Sequence, residues 1–199
     1  MLSNLRTWCL PALVVLATAL TGCSLPRMID SDVQSFAGAG APVSPADFRF
    51  ERLPSQQNSS AQDTVENLTQ EALERVGVMR NDASGRYLVM VGLGADNIRN
   101  PHYRPPRSRF IRGADGRLYE DRPLTPDIEV PWYRHRVHLT LRDSTTSQVA
   151  YETTAVFDGP WRDTLNLLPP MLEAALKDYP MPVQRKVVVE LPAANKENP

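Results

Sequence analysis

Cysteine is nearly absent from this 199-residue chain: Cys9 and Cys23 are the only two. No disulfide framework can hold the fold, so a packed apolar core must. Histidine is scarce as well. His135 and His138 are three apart in a strand-like segment, which points them to opposite faces, and His102 has no cysteine or second histidine nearby. No metal site and no cofactor site follow from such a set. A Gly-x-Ser-x-Gly elbow is missing, and Gly92-Leu93-Gly94 finds Asn97 where a third glycine would complete a dinucleotide fingerprint. Those two glycines read as strand-end or bulge positions. The net charge of −1 demands no polyanionic partner. Long apolar runs are also lacking. Leu10 to Leu20 is too short to cross a hydrocarbon core, which takes roughly 20 residues as a helix.

What that short run offers instead is an export signal, with Arg6 before it and small residues after it. It ends in Leu20-Thr21-Gly22-Cys23, which resembles the lipobox of bacterial lipoproteins. The resemblance implies a diacylglyceryl group on the Cys23 thiol and removal of residues 1–22. The alternative, an ordinary secretory signal, prefers an Ala-x-Ala site that is missing here. Ser24, where Asp would retain a lipoprotein at the inner membrane, implies the outer membrane with the domain facing the periplasm. Two or three acyl chains give stable anchoring where a single chain gives only marginal binding. The remaining 177 residues carry 21 basic and 23 acidic side chains, enough chain for one domain.

Residues 23–32 read as the lipidated cysteine and a tether, 33–191 as the domain, and 192–199 as a loose tail. Asp32 to Phe36 reads as a brief edge strand. Asp47 to Arg52 alternates apolar and charged, the period of a half-buried strand. Val65, Leu68, Ala72, Leu73 and Val76 share one face of a helix over 61–76, with Ser60 as its cap and Gly77 in the left-handed position beyond it. Tyr87 to Leu93 is apolar at both parities, as in a central strand. Tyr133 to Arg142 and Gln148 to Phe157 alternate and flank a turn, and Glu152 is placed to meet a strand arginine across the pair. Trp161 to Tyr179 is helical in period. Pro169-Pro170 predicts a short turn followed by a helix with Pro170 in its first turn. Val187 to Val189 closes the domain. The order predicts an α+β two-layer sandwich: a single mixed, mostly antiparallel sheet of about six strands with two helices packed on one face.

The segment 97–131 interrupts this regularity with six prolines between Pro101 and Pro131, too many for a helix or central strand. Within it, Phe110-Ile111-Arg112 and Arg117-Leu118-Tyr119 flank Asp115-Gly116, a hairpin signal. Between Asn97 and Arg136 stand nine arginines against five acids, with Tyr103, Phe110, Tyr119, Trp132 and Tyr133 interleaved. Arg104, Arg107, Arg109 and Arg112 are the candidate anion- or partner-binding residues, because guanidinium grips phosphate oxygens bidentately. Phosphate-bearing lipid or an acidic envelope protein fits such a surface; nucleic acid does not meet an exported protein. The plain alternative is a solvated loop whose arginines pair with its own acids and whose aromatics pack onto the domain.

Several stretches together resemble bacterial lipoproteins with the DUF4136 domain, a family of unassigned function. They are Ser31-Asp32-Val33-Gln34-Ser35-Phe36, Phe48-Arg49-Phe50, Tyr133-Arg134-His135-Arg136-Val137-His138-Leu139, Val149-Ala150-Tyr151-Glu152 and Trp161. The resemblance runs over roughly 31–191, implies location and fold, and carries over no catalytic residue. The resulting expectation is a non-enzymatic binding module of the cell envelope. The alternatives are a hydrolase built on an unrecognised carboxylate pair and a purely structural lipoprotein. Acyl labelling in cells checks the anchor. The wild type is expected to take up labelled fatty acid and Cys23→Ala to take up none, and equal labelling of the two contradicts it.

Overall fold

The computed structural model describes residues 27–42, 44–105, 107, 109–121 and 128–191. The chain divides into two units, Met28–Glu190 and a second made of Met1–Arg27 with Leu191–Pro199. Only Arg27 and Leu191 of the second fall within the described residues, so the expected signal, Cys23 and the tail at 192–199 lie outside them.

Among the described residues, nine strands and two α-helices follow in chain order: β1 (Arg27–Ala37), β2 (Ala46–Phe50), α1 (Ser60–Arg75), β3 (Val78–Arg80), β4 (Tyr87–Ile98), β5 (Arg109–Arg112), β6 (Leu118–Asp121), β7 (Trp132–Asp143), β8 (Val149–Gly159), α2 (Thr164–Leu176) and β9 (Gln184–Leu191). Seven strands form one sheet in the order β3-β2-β4-β7-β8-β1-β9, and β5-β6 form a separate two-stranded ribbon. β2 runs parallel to β3 and β4. The β4–β7, β7–β8 and β8–β1 pairs are antiparallel. The α+β class and mostly antiparallel mixed sheet therefore stand, but a sheet of seven strands plus a ribbon replaces the single sheet of about six. β3 has three residues, too few to display a period.

β1 departs most from expectation. The tether expected over 23–32 is strand from Arg27 onward, and β1 lies between β8 and β9 rather than at an edge. Its buried face is Ile29, Ser31, Val33 and Ser35, so two serines hide the apolar alternation. Ser35 earns its burial by hydrogen bonding: its hydroxyl accepts from the Val183 N–H at 2.9 Å and donates to the Met181 carbonyl at 3.5 Å.

One face of the sheet forms the core, from Ile29 and Val33 through Ala155 and Phe157, Val137, Leu139 and Leu141, to Val89 and Val91. Helix α1 packs on α2, and both reach this sheet. Burying each such side chain contributes about 1.5–3 kcal/mol. α1 starts one residue earlier than its sequence predicts, because the Ser59 hydroxyl accepts the Gln62 N–H at 3.3 Å. Gly77 beyond it takes φ +83°, the left-handed region. Its buried face is Val65, Glu66, Thr69, Ala72 and Leu73, with Glu66 replacing the expected Leu68. Burial of that carboxylate is tolerated because Arg52 bridges both its oxygens, at 2.6 and 2.7 Å.

α2 runs unbroken through Pro169 and Pro170, where a fresh start at Pro170 was expected. Asp163 caps it, accepting from Leu165 N–H at 3.0 Å. The two prolines withhold N–H groups from the carbonyls of Leu165 and Asn166, both exposed residues whose carbonyls water can serve. Leu167, Leu168, Met171, Leu172, Ala174, Ala175 and Leu176 are buried, and their packing offsets the roughly 3 kcal/mol of an interior proline.

His135 locks this helix to the sheet. It is fully buried (0 % exposed) on β7, while His138 lies exposed on the opposite face, as their spacing required. Nε2 lies 2.8 Å from the Trp161 carbonyl, and Nδ1 lies 3.0 Å from the Thr164 hydroxyl. A carbonyl only accepts, so Nε2 carries a proton, and the Thr164 hydroxyl, which can donate or accept, serves Nδ1. Replacing His135 by Leu keeps bulk and strands both partners. The expected loss is about 1–3 kcal/mol in urea unfolding. A change within about 0.5 kcal/mol contradicts the lock.

Candidate functional site

The insertion leaves the sheet where β4 ends and returns where β7 begins. These strands pair from Tyr87↔Asp143 to Ile98↔Trp132, so the two limbs of the insertion emerge side by side. β4 thus runs beyond the expected Leu93. Gly92 and Gly94 sit within it on the open face, opposite His138 and Arg136, and are neither strand ends nor bulges.

Asn100, only 8 % exposed, clasps the two limbs at their root. Its N–H donates to Glu129 Oε1 at 2.9 Å and its side-chain amide donates to the Val130 carbonyl at 3.1 Å. Its Oδ1 accepts from His102 N–H at 2.8 Å and its carbonyl accepts from Tyr103 N–H at 3.1 Å. The His102 ring stands edge-on to Trp132 with centroids 5.2 Å apart. The sequence signal for this clasp was slight: Asn-Pro marks a turn but does not reveal contacts 29 and 30 residues away.

Beyond the root, the expected hairpin forms, with Phe110 opposite Glu120, Ile111 opposite Tyr119 and Arg112 opposite Leu118. Asp115 shapes its turn by accepting from Tyr119 OH at 2.7 Å and Arg117 N–H at 3.1 Å. Those two bonds hold its carboxyl below the ordinary range and, reciprocally, push the Tyr119 phenol up. Of the interleaved aromatics, Tyr103, Trp132 and Tyr133 are half-buried as the plain alternative requires, but Phe110 and Tyr119 do not pack onto the domain. Phe110 is 68 % exposed and Leu118 70 % on one ribbon face, and Ile111 is 54 % and Tyr119 49 % on the other.

Arg104, Arg107, Arg109 and Arg112 are all exposed. Among the described residues none of the four forms an ion pair; Arg112 Nε donates to the Gly116 carbonyl at 3.2 Å. Arg117 lies 4.0 Å from Asp115. Arg122 and Asp127 are outside the described residues. Arg134 and Arg136, counted with the insertion in sequence, belong instead to the open face of the sheet. Arg134 binds both oxygens of Asp158, at 2.8 and 2.7 Å, and Arg136 pairs with Asp96. The Arg134 guanidinium and its own charge hold the Asp158 carboxyl down.

The open face carries no converging catalytic set among the described residues. Glu152 faces Thr140 rather than an arginine, and its Oε1 lies 3.8 Å from His138 Nε2. His138 is held between the hydroxyls of Thr154 (2.9 Å) and Thr140 (3.0 Å). A shallow depression of about 320 Å³ lies near Asp32, Gln34, Thr154 and Lys186, and wider open hollows of about 600 and 400 Å³ lie near Asp47 and Arg86 and near Asn97 and Glu129. Among the described residues, no three His, Cys, Asp or Glu side chains gather to hold a metal. Among the described residues, the carboxyls that stand clear of their ordinary range are Asp115, Asp143 and Asp158. All three move down, held by hydrogen-bond donors and, for the latter two, by arginine. Glycosidase-type chemistry needs a carboxyl raised into the role of proton donor.

Replacing Asn100 by Ala tests the clasp. Trypsin is expected to cut the insertion arginines about fivefold faster, the factor for about 1 kcal/mol of local opening, with the melting temperature unchanged. Unchanged cutting, or cutting that rises only with global unfolding, contradicts a local role.

No family model and no curated protein matches this chain. Among solved structures it is similar to a PDZ domain protein from Parabacteroides distasonis ATCC 8503, with TM-score 0.49 and 12% identity over 86% of this chain and 41% of that one. It is also similar to a PelC dodecamer from Paraburkholderia phytofirmans, with TM-score 0.42 and 12% identity over 73% of this chain and 94% of that one. The chain spans less than half of the first protein's length. Both TM-scores fall below 0.5, so the functional reading rests on the geometry above.

Proposed function

We propose that this chain is a non-enzymatic binding module of the bacterial envelope, held in the outer membrane by the lipid on Cys23 with its domain in the periplasm. Its contact with another envelope component is the 97–131 insertion. The carrying observation is the β5–β6 ribbon. A lone two-stranded hairpin is marginal in water, and this one leaves Phe110, Ile111, Leu118 and Tyr119 uncovered beside Arg104, Arg107, Arg109 and Arg112, which form no ion pair among the described residues. Apolar surface and unpaired guanidinium exposed together are what a contact surface presents before it is occupied.

A photoactivatable phenylalanine analogue at position 110 in living cells tests this reading. Irradiation is expected to yield an adduct, to lipid or to protein. The adduct should fall several-fold when Arg104, Arg107 and Arg109 are all changed to Ala at equal protein level. Absence of any adduct, or an adduct indifferent to the arginines, contradicts it.

A further inference from the structure

Register places the insertion at one particular end of the sheet. Asn97 faces Tyr133, and Tyr133 faces Gly159. β1 pairs with β8 from Asp32↔Val156, and continuing that register by three residues sets Ile29 level with Gly159. The start of β1 and the root of the insertion therefore share an end, while the Asp143–Gln148 turn, Ala37 and Tyr87 occupy the other. Three strand spacings separate β1 from β4, about 15 Å. Cys23 precedes Met28 by five residues, a covalent reach of at most about 18 Å.

The geometry points to a membrane as the occupant of the hairpin. We propose that the β5–β6 ribbon and its flanking arginines lie in the phosphate-bearing headgroup layer of the same bilayer that holds the Cys23 lipid, an inference that rests on the anchored reading above. Charge at this end supports it. Asp96, Asp158 and Asp30 are each paired, with Arg136, Arg134 and Lys186. Arg104, Arg107 and Arg109 are left without an ion pair among the described residues, and guanidinium matches phosphate oxygens bidentately. The apolar pattern supports it too. A flat protein surface covers one face of a ribbon, whereas this ribbon exposes Phe110 and Leu118 on one face and Ile111 and Tyr119 on the other. A fluid layer closes around both. Ile128 at 72 % and Val130 at 55 % exposure extend the apolar surface along the returning limb. Tyrosine is enriched at the level of the headgroups. The Asp115 carboxylate at the turn is compatible with the layer because Tyr119 OH and the Arg117 N–H already donate to it.

The test uses the lipidated full-length mature protein, in which the Cys23 thiol is consumed, so that Leu118→Cys carries a single environment-sensitive dye. Ile111→Cys gives a second probe on the opposite ribbon face. The protein is reconstituted into vesicles of phosphatidylcholine alone or mixed equally with phosphatidylglycerol. Both probes are expected to blue-shift on the mixed vesicles and to be quenched by headgroup-attached spin labels. The shift should fall at least twofold in high salt or with Arg104, Arg107 and Arg109 changed to Ala. Protein that floats with vesicles while both dyes report water overturns the proposal and leaves the anchor standing. Protein that does not float at all removes the anchor and the proposal together. A shift that appears only after an envelope protein extract is added also overturns it, in favour of a protein partner.

Discussion

The antiparallel register running from β1 through β8 and β7 to β4 is the constraint on which the rest of this molecule depends. A slip of one residue in any pair would turn the core-facing row of that strand to the open side. The same slip would expose His135 and detach it from α2. Register also decides which loops share an end of the sheet. It fixes the root of the insertion at the end where β1 begins, and that shared end gives a proline- and arginine-rich loop a location relative to the chain's N-terminal side.

The two faces of the sheet follow different chemistry. The helix side is apolar, and three of its polar side chains are tied to a fixed partner: Ser35 to the backbone of Val183, Thr153 to the Ala175 carbonyl at 3.0 Å, and His135 to Trp161 and Thr164. Each tie joins the sheet to the segment packed against it, so it selects one docking position among many that hydrophobic burial alone would allow. The open side is a lattice of alternating charges, in which Arg134, Arg136 and Arg142 each hold a carboxylate. Surface pairs of this kind add little stability. They do occupy these three arginines, whereas Arg104, Arg107, Arg109 and Arg112 of the insertion form no ion pair among the described residues.

Much of this was legible in the sequence wherever burial produces periodicity. β7, β8 and α1 alternate or repeat strongly enough to be read directly, the apolar run of Tyr87 to Leu93 marks the first part of β4, and Asp115-Gly116 announced the β5–β6 turn. Where buried residues are polar the period fades, as in β1 with Ser31 and Ser35 and in α1 with Glu66 and Thr69. Pro169-Pro170 argued for a break in α2 that packing overrode. At the candidate site, composition marked Arg104, Arg107, Arg109 and Arg112. It could not separate them from Arg134 and Arg136, whose acids come from distant strands, nor show that Asn100 clasps the two limbs. Pairing across 24 and 40 residues is a property of topology, invisible to local spacing.

The central claim is that the insertion end of the sheet faces the membrane. Amide hydrogen exchange on the lipidated protein, compared between detergent micelles and anionic vesicles, reads this most directly. Slower exchange on vesicles across 109–121, with the turn at 143–148 unchanged, is the predicted result. Protection at 143–148, or none at 109–121, would contradict it.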